Sequence, residues 1–502
     1  MYRLYWHRYK LMEYEKRIGI EEVQRVLNPT EIIERDNYLE INGNIDINRV
    51  NKLTYFERLE FEDQVIYTQE FLLENGYREQ NNFPNRQITR YSVHGMHEYK
   101  GKYNPQIVRS IINLLEIEEN SLILDPFCGS GTTLVESEYS NITAIGTDIN
   151  KLAVTIANAK LRALSTDLES LRNSKDEIIR SFNEQRQNFH IQNQDEDERL
   201  IYLKKWFLEN YLNDIECLKY IIQNNENNDR DIFLIILSNI IKEYSEQEPA
   251  DLRIRRRYKT EYPEIPIIDR FNIEVDRFIG NISISRQVKE FQNINSRAKN
   301  IDIRELDEKN KFDGAITSPP YATALPYIDT QRLSIVWMGL CEPGNISKLQ
   351  SVLIGSREIN TKDKRAVENS LRLNEDRLPQ NIIDLCLHLN QSFIDTDGFR
   401  KRAVPILLYR YFSDMSKMFK NVLNALKPNC KFALVVGHNH TVIGGTRYDI
   451  NTPQLLVDVA IQCGWIHDRT ISLDVYNRYG LHQNNAIENE SLIIFRKSSE
   501  IV

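Results

Sequence analysis

The pattern of apolar and polar positions predicts a chain in which strands and helices alternate. Short apolar runs predict strands at residues 121–125, 143–147, 312–316 and 432–437. Helical spacing of apolar residues predicts helices at 14–27, 56–73, 106–116, 404–425 and 452–463. The run at 432–437 is apolar throughout, which is typical of a strand covered by helices on both faces. Strands at 470–475 and 491–495 would close the sheet with an antiparallel edge, so the pattern indicates an α/β fold.

Three stretches interrupt this alternation. Residues 1–90 show mainly helical spacing and predict an N-terminal helical region. Residues 166–299 are helical, polar and charged, and residues 341–400 form a second polar stretch. We therefore expect a core of residues 91–165 and 300–502 that carries a helical insertion at 166–299 and another insertion at 341–400.

Composition narrows the class of protein. The 502 residues are 41% hydrophobic and 27% charged, as in ordinary soluble proteins, and no run of eighteen apolar residues predicts a membrane span. The six cysteines are scattered without a CxxC pair, which favours reduced thiols in a cytoplasm over a zinc site or disulfides. The net charge of −8 gives no general attraction to nucleic acid, so any DNA contact must depend on local basic patches.

A glycine-containing turn after the first predicted strand of the core indicates a nucleoside cofactor. The strand ends at Asp125, Gly129 and Gly131 follow, and a helix begins near Thr132. Glycine lets the backbone approach a ligand, and the start of a helix offers free N–H groups to an anion. The next strand ends at Asp148, where doubly wound folds place the acid that binds a ribose. A plain strand–helix–strand unit is the structural alternative, and Leu134 replaces the third glycine of the dinucleotide pattern.

The stretch 317–321 is the strongest candidate for chemistry. Two consecutive prolines hold the backbone extended and donate no hydrogen bonds, which leaves carbonyl groups free. Ser318, a free carbonyl and the ring of Tyr321 would suit a planar base that bears an amino group. A polyproline turn with a packing tyrosine is the structural alternative.

Two basic clusters are candidate phosphate contacts. The first consists of five bases without an acid between 253 and 259, and the second leads into the predicted helix at 404. A charged stretch is more often a solvated face, and that interpretation stays open for both. The residues are Arg253, Arg255, Arg256, Arg257 and Lys259 in the first cluster and Arg400, Lys401 and Arg402 in the second.

Residues 125–133 (Asp-Pro-Phe-Cys-Gly-Ser-Gly-Thr-Thr) together with 317–321 (Thr-Ser-Pro-Pro-Tyr) resemble the amino-methylating DNA methyltransferases. The resemblance covers roughly residues 90–160 and 300–500. It implies a class I S-adenosylmethionine-dependent methyltransferase fold, which is a Rossmann-like mixed sheet of seven strands, here with mainly helical insertions. The Ser-Pro-Pro-Tyr form resembles the cytosine-N4 enzymes of restriction-modification systems, whereas adenine-N6 enzymes more often carry Asn or Asp before the prolines.

The resemblance also implies roles for single residues. The expected catalytic residues are Ser318, Pro319, Pro320 and Tyr321. The expected cofactor-binding residues are Tyr99, Lys100, Lys102, Asp125, Phe127, Gly129, Gly131, Thr132, Thr133, Asp148, Ile149 and Asp302. The implied partners are double-stranded DNA and a companion restriction endonuclease, with no membrane and no metal. The DNA-reading region would be 165–300, 341–400 or both.

The resemblance implies direct transfer of a methyl group to an extruded base, without a covalent enzyme adduct. Ser318 and the Pro319 carbonyl would accept hydrogen bonds from the amine, and Tyr321 would stack on the base. An adenine-N6 enzyme, an RNA guanine amino-methyltransferase and a catalytically silent binding module are the alternatives. Cytosine-C5 chemistry is disfavoured because it needs a cysteine after proline and the chain has no Pro-Cys pair.

Overall fold

The chain begins with a five-stranded antiparallel sheet. The computed structural model describes residues 1–191, 197–225, 229–248, 254–258, 261–322, 327–474 and 489–499. In the first sheet the strand order is β2-β3-β1-β4-β5. Its elements are β1 Tyr2–Trp6, α1 Glu13–Leu27, β2 Glu31–Glu34, β3 Tyr38–Asn42, β4 Phe56–Phe61, β5 Gln64–Tyr67 and α2 Gln69–Asn81.

This sheet corrects the prediction of a helical N-terminal region. The helix predicted at 14–27 is confirmed, but the one predicted at 56–73 is wrong over 56–67, where β4 and β5 form a hairpin. Glu62 turns the hairpin with a positive φ of 52°, and the helix begins only after Thr68, whose hydroxyl accepts a hydrogen bond from Phe71 N. β4 pairs with β1 along its length, and a partner so distant in sequence leaves no trace in the local spacing.

The next elements build the first half of a second sheet. The predicted strand, glycine turn, helix and strand are confirmed between residues 122 and 147. Their bounds are α3 Pro105–Leu115, β6 Leu122–Asp125, α4 Thr132–Tyr139, β7 Thr143–Thr147 and α5 Lys151–Ser165.

The insertion that follows is helical, as predicted. The insertion begins after α5, and its last helix returns to the end of α5. There the Arg286 guanidinium donates to the Leu164 carbonyl at 3.3 Å. Its last helix also packs on α2 of the N-terminal region, where Gln80 donates to the Arg277 carbonyl. The helices are α6 Leu168–Gln185, α7 Glu198–Leu203, α8 Glu209–Asn224, α9 Arg230–Ile240 and α10 Ile267–Val288.

The remaining residues complete the second sheet and add a second group of helices. The polar stretch at 341–400 forms helices rather than an open loop. The bounds are β8 Arg297–Lys299, β9 Phe312–Thr317, α11 Tyr327–Trp337, α12 Ile346–Val352, α13 Thr361–Leu373, α14 Gln380–Gln391, α15 Phe399–Arg402, α16 Val404–Ala425, β10 Leu426–Gly437, β11 Asn439–Ile443, β12 Thr446–Ile450, α17 Thr452–Gln462, β13 Trp465–Asp474 and β14 Asn489–Lys497.

The second sheet has seven strands in the order β8-β7-β6-β9-β10-β14-β13. The five from β8 to β10 are parallel, and β14 runs antiparallel to both of its neighbours. This arrangement confirms the predicted mixed sheet of the class I methyltransferase fold. The order reverses at β6, and ligands of such sheets bind beyond the carboxyl ends of the strands at that point.

Both faces of this sheet are buried. Ile123 and Leu124 are adjacent in β6 and belong to separate apolar cores on its two sides, since successive side chains of a strand point to opposite faces. Helices α3, α4 and α5 cover one face, and α16 and α17 cover the other. Within the described residues, no helix is long and apolar enough to cross a membrane.

Candidate functional site

The carboxyl ends of four neighbouring strands open into one cleft of about 840 Å³, part of which is open to solvent. Phe127 and Gly129 follow β6, Asp148 follows β7, and Asp302 follows β8. The segment Ser318 to Tyr321 follows β9 and lines the same cleft. The structure therefore brings the predicted cofactor loop and the predicted catalytic segment together, although they are nearly two hundred residues apart in sequence.

The turn after β6 needs its two glycines for different reasons. Gly129 and Gly131 have positive φ angles of 48° and 83°. A β-carbon at Gly131 would lie 2.8 Å from the Ala157 side chain, so the turn could not pack on α5 with a larger residue. At Gly129 it would lie 3.3 Å from the Tyr99 ring. Helix α4 begins immediately afterwards at Thr132 and directs its N-terminal N–H groups toward the turn.

Asp148 connects the ends of β6 and β7. Its carboxylate accepts hydrogen bonds from the backbone N–H of Gly129 at 3.1 Å and of Asn150 at 2.8 Å. Burial raises the pKa of Asp148 to about 6, against the lowering effect of these two bonds. A carboxylate held this way keeps lone pairs that can accept hydrogen bonds from hydroxyl groups in the cleft.

Asp125 holds the two functional loops together from behind. The Thr317 hydroxyl donates to the Asp125 carboxylate at 2.6 Å and accepts from the Phe127 backbone N–H at 3.1 Å. Asp125 is fully buried, and burial raises its pKa to about 6. Thr317 thus fixes the last residue of β9 against the cofactor turn, and Asp125 lies behind the cleft wall in this arrangement.

Three residues from distant parts of the chain restrain the catalytic segment. The Tyr321 hydroxyl donates to the Glu490 carboxylate at 2.5 Å, and Asn439 donates to the Ala322 carbonyl at 2.6 Å. A β-carbon at Gly355 would lie 2.5 Å from the Tyr321 carbonyl oxygen. The sequence analysis missed all three. Asn439 follows the carboxyl end of β10 and Glu490 lies near the start of antiparallel β14, so strand order places both at the edge of the cleft.

The other predicted cofactor residues divide into two groups. Tyr99 and Ile149 line the cleft. The Lys100 ammonium pairs with Glu98, and the ammonium of the half-buried Lys102 donates to the Thr89 and His94 carbonyls at 3.0 and 3.3 Å. Thr132 and Thr133 are buried beneath the turn, where the Thr133 hydroxyl bonds the hydroxyl of Tyr103. A direct cofactor contact by these four side chains stays a prediction.

Asp302 lines the cleft as predicted but is already paired. Arg304 contacts its carboxylate at 2.6 Å and reaches Asp414 at 3.0 Å on its other side. Burial alone would raise the pKa of Asp302, and the bonds to Arg304 outweigh it and lower the pKa. The carboxylate is therefore held ionised at the wall of the cleft.

The first basic cluster is partly structural. Arg253 and Lys259 lie outside the described residues. Arg255 is exposed, and the exposed Arg256 pairs with Glu246 at 2.7 Å and lies over the Trp206 ring. The Arg257 guanidinium donates to four backbone carbonyls, which belong to Lys242, Glu243, Gln247 and Glu261.

The second basic cluster forms α15 and connects to the catalytic segment. Arg400, Lys401 and Arg402 are exposed there beside Phe399, which is 79% exposed. Asp397, just before the helix, accepts a hydrogen bond from Gly444 N at 2.8 Å. Gly444 lies in the turn of the β11–β12 hairpin, whose first residue is Asn439 beside Ala322.

Comparison with known proteins shows similarity to DNA methyltransferases. A family model described as DNA methylase, covering N6 and N4 enzymes, matches residues 20–159, which include the glycine turn and Asp148. The chain is 26% identical over 376 residues to the type II methyltransferase M.MvaI of Kocuria varians, with 70% of this chain and 78% of that protein covered. It is 24% identical over 398 residues to the type II methyltransferase M.BsoBI of Geobacillus stearothermophilus, with 70% and 76% covered.

A shorter match extends beyond DNA enzymes. A tRNA (guanine(10)-N2)-dimethyltransferase of Methanothermobacter thermautotrophicus is 33% identical over 75 residues, 15% of this chain and 22% of that protein. The two type II relatives cover far more of the chain and agree with the family match. Together with the seven-stranded sheet, these matches show that the chain is similar to DNA amino-methyltransferases, and they support S-adenosylmethionine as the cofactor.

Proposed function

We propose that this protein transfers a methyl group from S-adenosylmethionine to the N4 amino group of cytosine in double-stranded DNA. It would protect the DNA of a bacterial or archaeal cytoplasm from a companion restriction endonuclease. The observation that carries the proposal is the shared cleft, which Ser318, Pro319 and Tyr321 line together with Gly129 and Asp148.

The residues of the cleft fit the cofactor. Gly129 lines the cleft without a side chain, Gly131 lets the turn pack on α5, and α4 directs free N–H groups toward the turn, which suits the carboxylate of the methionine part. Asp148 is placed to accept the ribose hydroxyls, and Phe127, Ile149 and Ile301 give the apolar walls that an adenine ring needs. When bound, S-adenosylmethionine supplies an electrophilic methyl group on a sulfonium.

The catalytic segment would act on the amine. An aromatic amine is a weak nucleophile because its lone pair is delocalised into the ring. Ser318 Oγ and the Pro319 carbonyl accept hydrogen bonds from its N–H groups and favour a pyramidal nitrogen, with the lone pair directed at the methyl group. Because these acceptors are held rigidly by the two prolines, they need no rearrangement during the reaction.

The target base must leave the duplex to reach this cleft, at a cost of a few kcal/mol. Tyr321 offers it a ring to stack on, and such stacking contributes about 1–3 kcal/mol. The two exposed basic surfaces, around Arg255 and Arg256 and on α15, are the candidate phosphate contacts. β11 is a strand of five residues that spans roughly 13–17 Å, and it lies between the residue beside the catalytic segment and the turn that contacts Asp397 before α15.

The identity of the base depends on the serine before the two prolines. Serine there resembles the cytosine-N4 enzymes, whereas the same acceptors could hold the N6 amine of adenine. Adenine-N6 methylation is the second candidate because the matching family model covers both kinds of enzyme.

Nucleoside mass spectrometry tests the proposal directly. Purified protein is incubated with duplex DNA and isotopically labelled S-adenosylmethionine, and the DNA is digested to nucleosides. We expect labelled N4-methylcytosine. Labelled N6-methyladenine would replace the proposal with the second candidate, and a product found only in RNA would overturn the DNA assignment. Binding of the cofactor with no product on DNA or RNA would indicate a silent binding module.

A further inference from the structure

The Tyr321 hydroxyl is bonded to a carboxylate that belongs to a different strand of the sheet. Glu490 lies near the start of β14, opposite Gly437 of β10 and Leu473 of β13. From there its carboxylate reaches past the end of β10 to Tyr321, with 2.5 Å between the two oxygens. Glu490 is half-buried and is not among the residues that line the cleft, so it contacts the wall of the cleft from behind.

The backbone of the catalytic segment is already fixed without this bond. Pro319 and Pro320 restrict its dihedral angles, Asn439 holds the Ala322 carbonyl, and Gly355 packs against the Tyr321 carbonyl. The tyrosine ring can still rotate about its own two side-chain torsions. The ring packs against the apolar core on that side of the sheet, and the hydrogen bond at its far end adds a restraint on its direction. A hydrogen bond to a carboxylate is about twice as strong as a neutral one.

We propose that Glu490 is a positioning residue that acts through the Tyr321 hydroxyl. By fixing the direction of the ring, it keeps the stacking face in the plane in which an extruded base presents its amine to Ser318 and the Pro319 carbonyl. This inference rests on the proposed methyl transfer to a flipped base, and it holds for either cytosine or adenine. Glu490 touches neither the base nor the cofactor, so its effect falls on turnover and not on cofactor affinity.

The test compares single and double variants on a duplex that carries the site found by methylation-aware sequencing. Glu490→Ala and Tyr321→Phe each remove one partner of the bond and should each lower kcat about tenfold or more. The KM for S-adenosylmethionine should stay within about twofold of the wild type. The double variant should lose no more than either single variant, because both remove the same interaction. Glu490→Gln keeps an oxygen that can accept from the hydroxyl and should recover part of the lost rate.

Asp474→Ala is the matched control, since it removes an exposed carboxylate from the end of the neighbouring strand β13 and should leave kcat unchanged. An unchanged kcat in Glu490→Ala would overturn the proposal, as would additive losses in the double variant or a parallel rise in the KM for the cofactor. If Glu490→Ala does not fold, an unchanged kcat in Tyr321→Phe overturns it equally well.

The identity of the product separates this proposal from the proposed function. N6-methyladenine with the same pattern of kcat losses would support the role of Glu490 and overturn the choice of cytosine. N4-methylcytosine with no loss of kcat in either variant would support the choice of cytosine and overturn the role of Glu490. No methylated base from the wild-type protein would overturn both.

Discussion

The carboxylate of Asp148 is held in a fixed position at the cleft by the backbone. Two backbone N–H groups hold it in place, yet burial raises its pKa to about 6. Below that pH the carboxyl is protonated and can no longer accept hydrogen bonds at both oxygens. The affinity for the cofactor should therefore fall as the pH drops through about 6, where carboxylates with ordinary pKa values are still ionised.

Replacing Asp148 should weaken cofactor binding. Asp148→Ala removes charged hydrogen bonds and should cost about 1.5–3 kcal/mol of binding free energy, measured by calorimetry. In the wild type the Kd should rise about tenfold from pH 7 to pH 5, as the carboxylate with a pKa of about 6 takes up a proton. Asp148→Asn cannot titrate and should show a flat profile. An unchanged affinity in folded Asp148→Ala would contradict the assignment of this residue to the ribose.

Tyr321 should affect turnover without affecting cofactor binding. Tyr321→Ala removes the stacking face for the base and should reduce kcat roughly tenfold or more, in line with the energy of one stacked base. The Kd for S-adenosylmethionine should stay near the wild-type value, as measured by calorimetry in the absence of DNA. A joint loss of cofactor affinity and turnover would show that the ring supports the cofactor loop instead.

At the scale of elements, the two basic clusters differ in what their side chains contact. In α15 the side chains of Arg400 and Lys401 are exposed, with Lys401 paired to Asp397 at 3.2 Å, and Arg402 donates to two backbone carbonyls. The Arg257 guanidinium of the first cluster is occupied by four backbone carbonyls. A guanidinium that bonds four carbonyls holds its segment in place and has little freedom to meet a phosphate. The second cluster is therefore the better candidate for the DNA backbone.

Neutralising α15 should change the salt dependence of DNA binding. Arg400→Gln with Lys401→Gln should lower the slope of log affinity against log salt by about 2, because each phosphate contact contributes about 0.9. The control is Arg257→Gln, which should leave the slope unchanged and lower the free energy of unfolding by about 1.5–3 kcal/mol. DNA-binding titrations at several salt concentrations measure the slope, and denaturant unfolding measures the free energy of unfolding. An unchanged slope in the double variant would show that the basic residues of α15 do not contact DNA phosphates.

The elements that sequence predicts best are those whose residues carry their own conformational demands. The glycines at 129 and 131, the prolines at 319 and 320 and the acids at strand ends could be located because each restricts its own backbone or ends an apolar run. Strand β8 is three residues long, and its pattern is too short to predict. Glu490 and Asn439 could not be assigned to the site before the order of the strands was known, because only that order brings them to the cleft.

A buried polar cluster connects the N-terminal region to helix α3. His7, Glu70 and Glu74 each offer a ligand atom, and these atoms lie within 4.8 Å of one another, close enough to hold a metal ion. Gln106 of α3 donates to one oxygen of each carboxylate and Tyr9 donates to Glu74, while His7 Nε2 lies 3.0 Å from the other oxygen of Glu70. Burial and the neighbouring Glu70 raise the pKa of Glu74 well above its ordinary value, which favours a shared proton over two buried charges.

At the scale of the whole molecule, Glu22 joins three regions of chain. It is fully buried in α1 and accepts hydrogen bonds from the Thr54 hydroxyl at 2.7 Å and from Asn113 of α3 at 2.8 Å. Burial raises its pKa to about 7, against the lowering effect of these bonds. Because the folded pKa is raised, this group's contribution to stability is complete below about pH 4.5 and is lost as the pH rises through 7.

Glu22→Gln should reveal this contribution. The glutamine cannot titrate. Between pH 4.5 and pH 8 the wild type should therefore lose about 3 kcal/mol of unfolding free energy relative to the variant. Denaturant unfolding of both proteins across that range gives the difference and cancels the titration of other groups. A difference that stays constant with pH would mean that folding does not shift the pKa of Glu22.

The insertion between β7 and β8 also has a consequence for synthesis on the ribosome. Strand β6 pairs with β7 on one side and with β9 on the other, and Phe312 of β9 follows Thr147 of β7 by 165 residues. At about 5–20 residues per second, the nascent chain waits roughly 10–30 s with one apolar edge of β6 unpaired. Helices α6 to α10 emerge during this interval and can shield the growing sheet by packing on α5 and α2. The glycine turn is therefore synthesised before most strands of its sheet. The contacts around the cleft are complete only after β14, which carries Glu490, has left the ribosome.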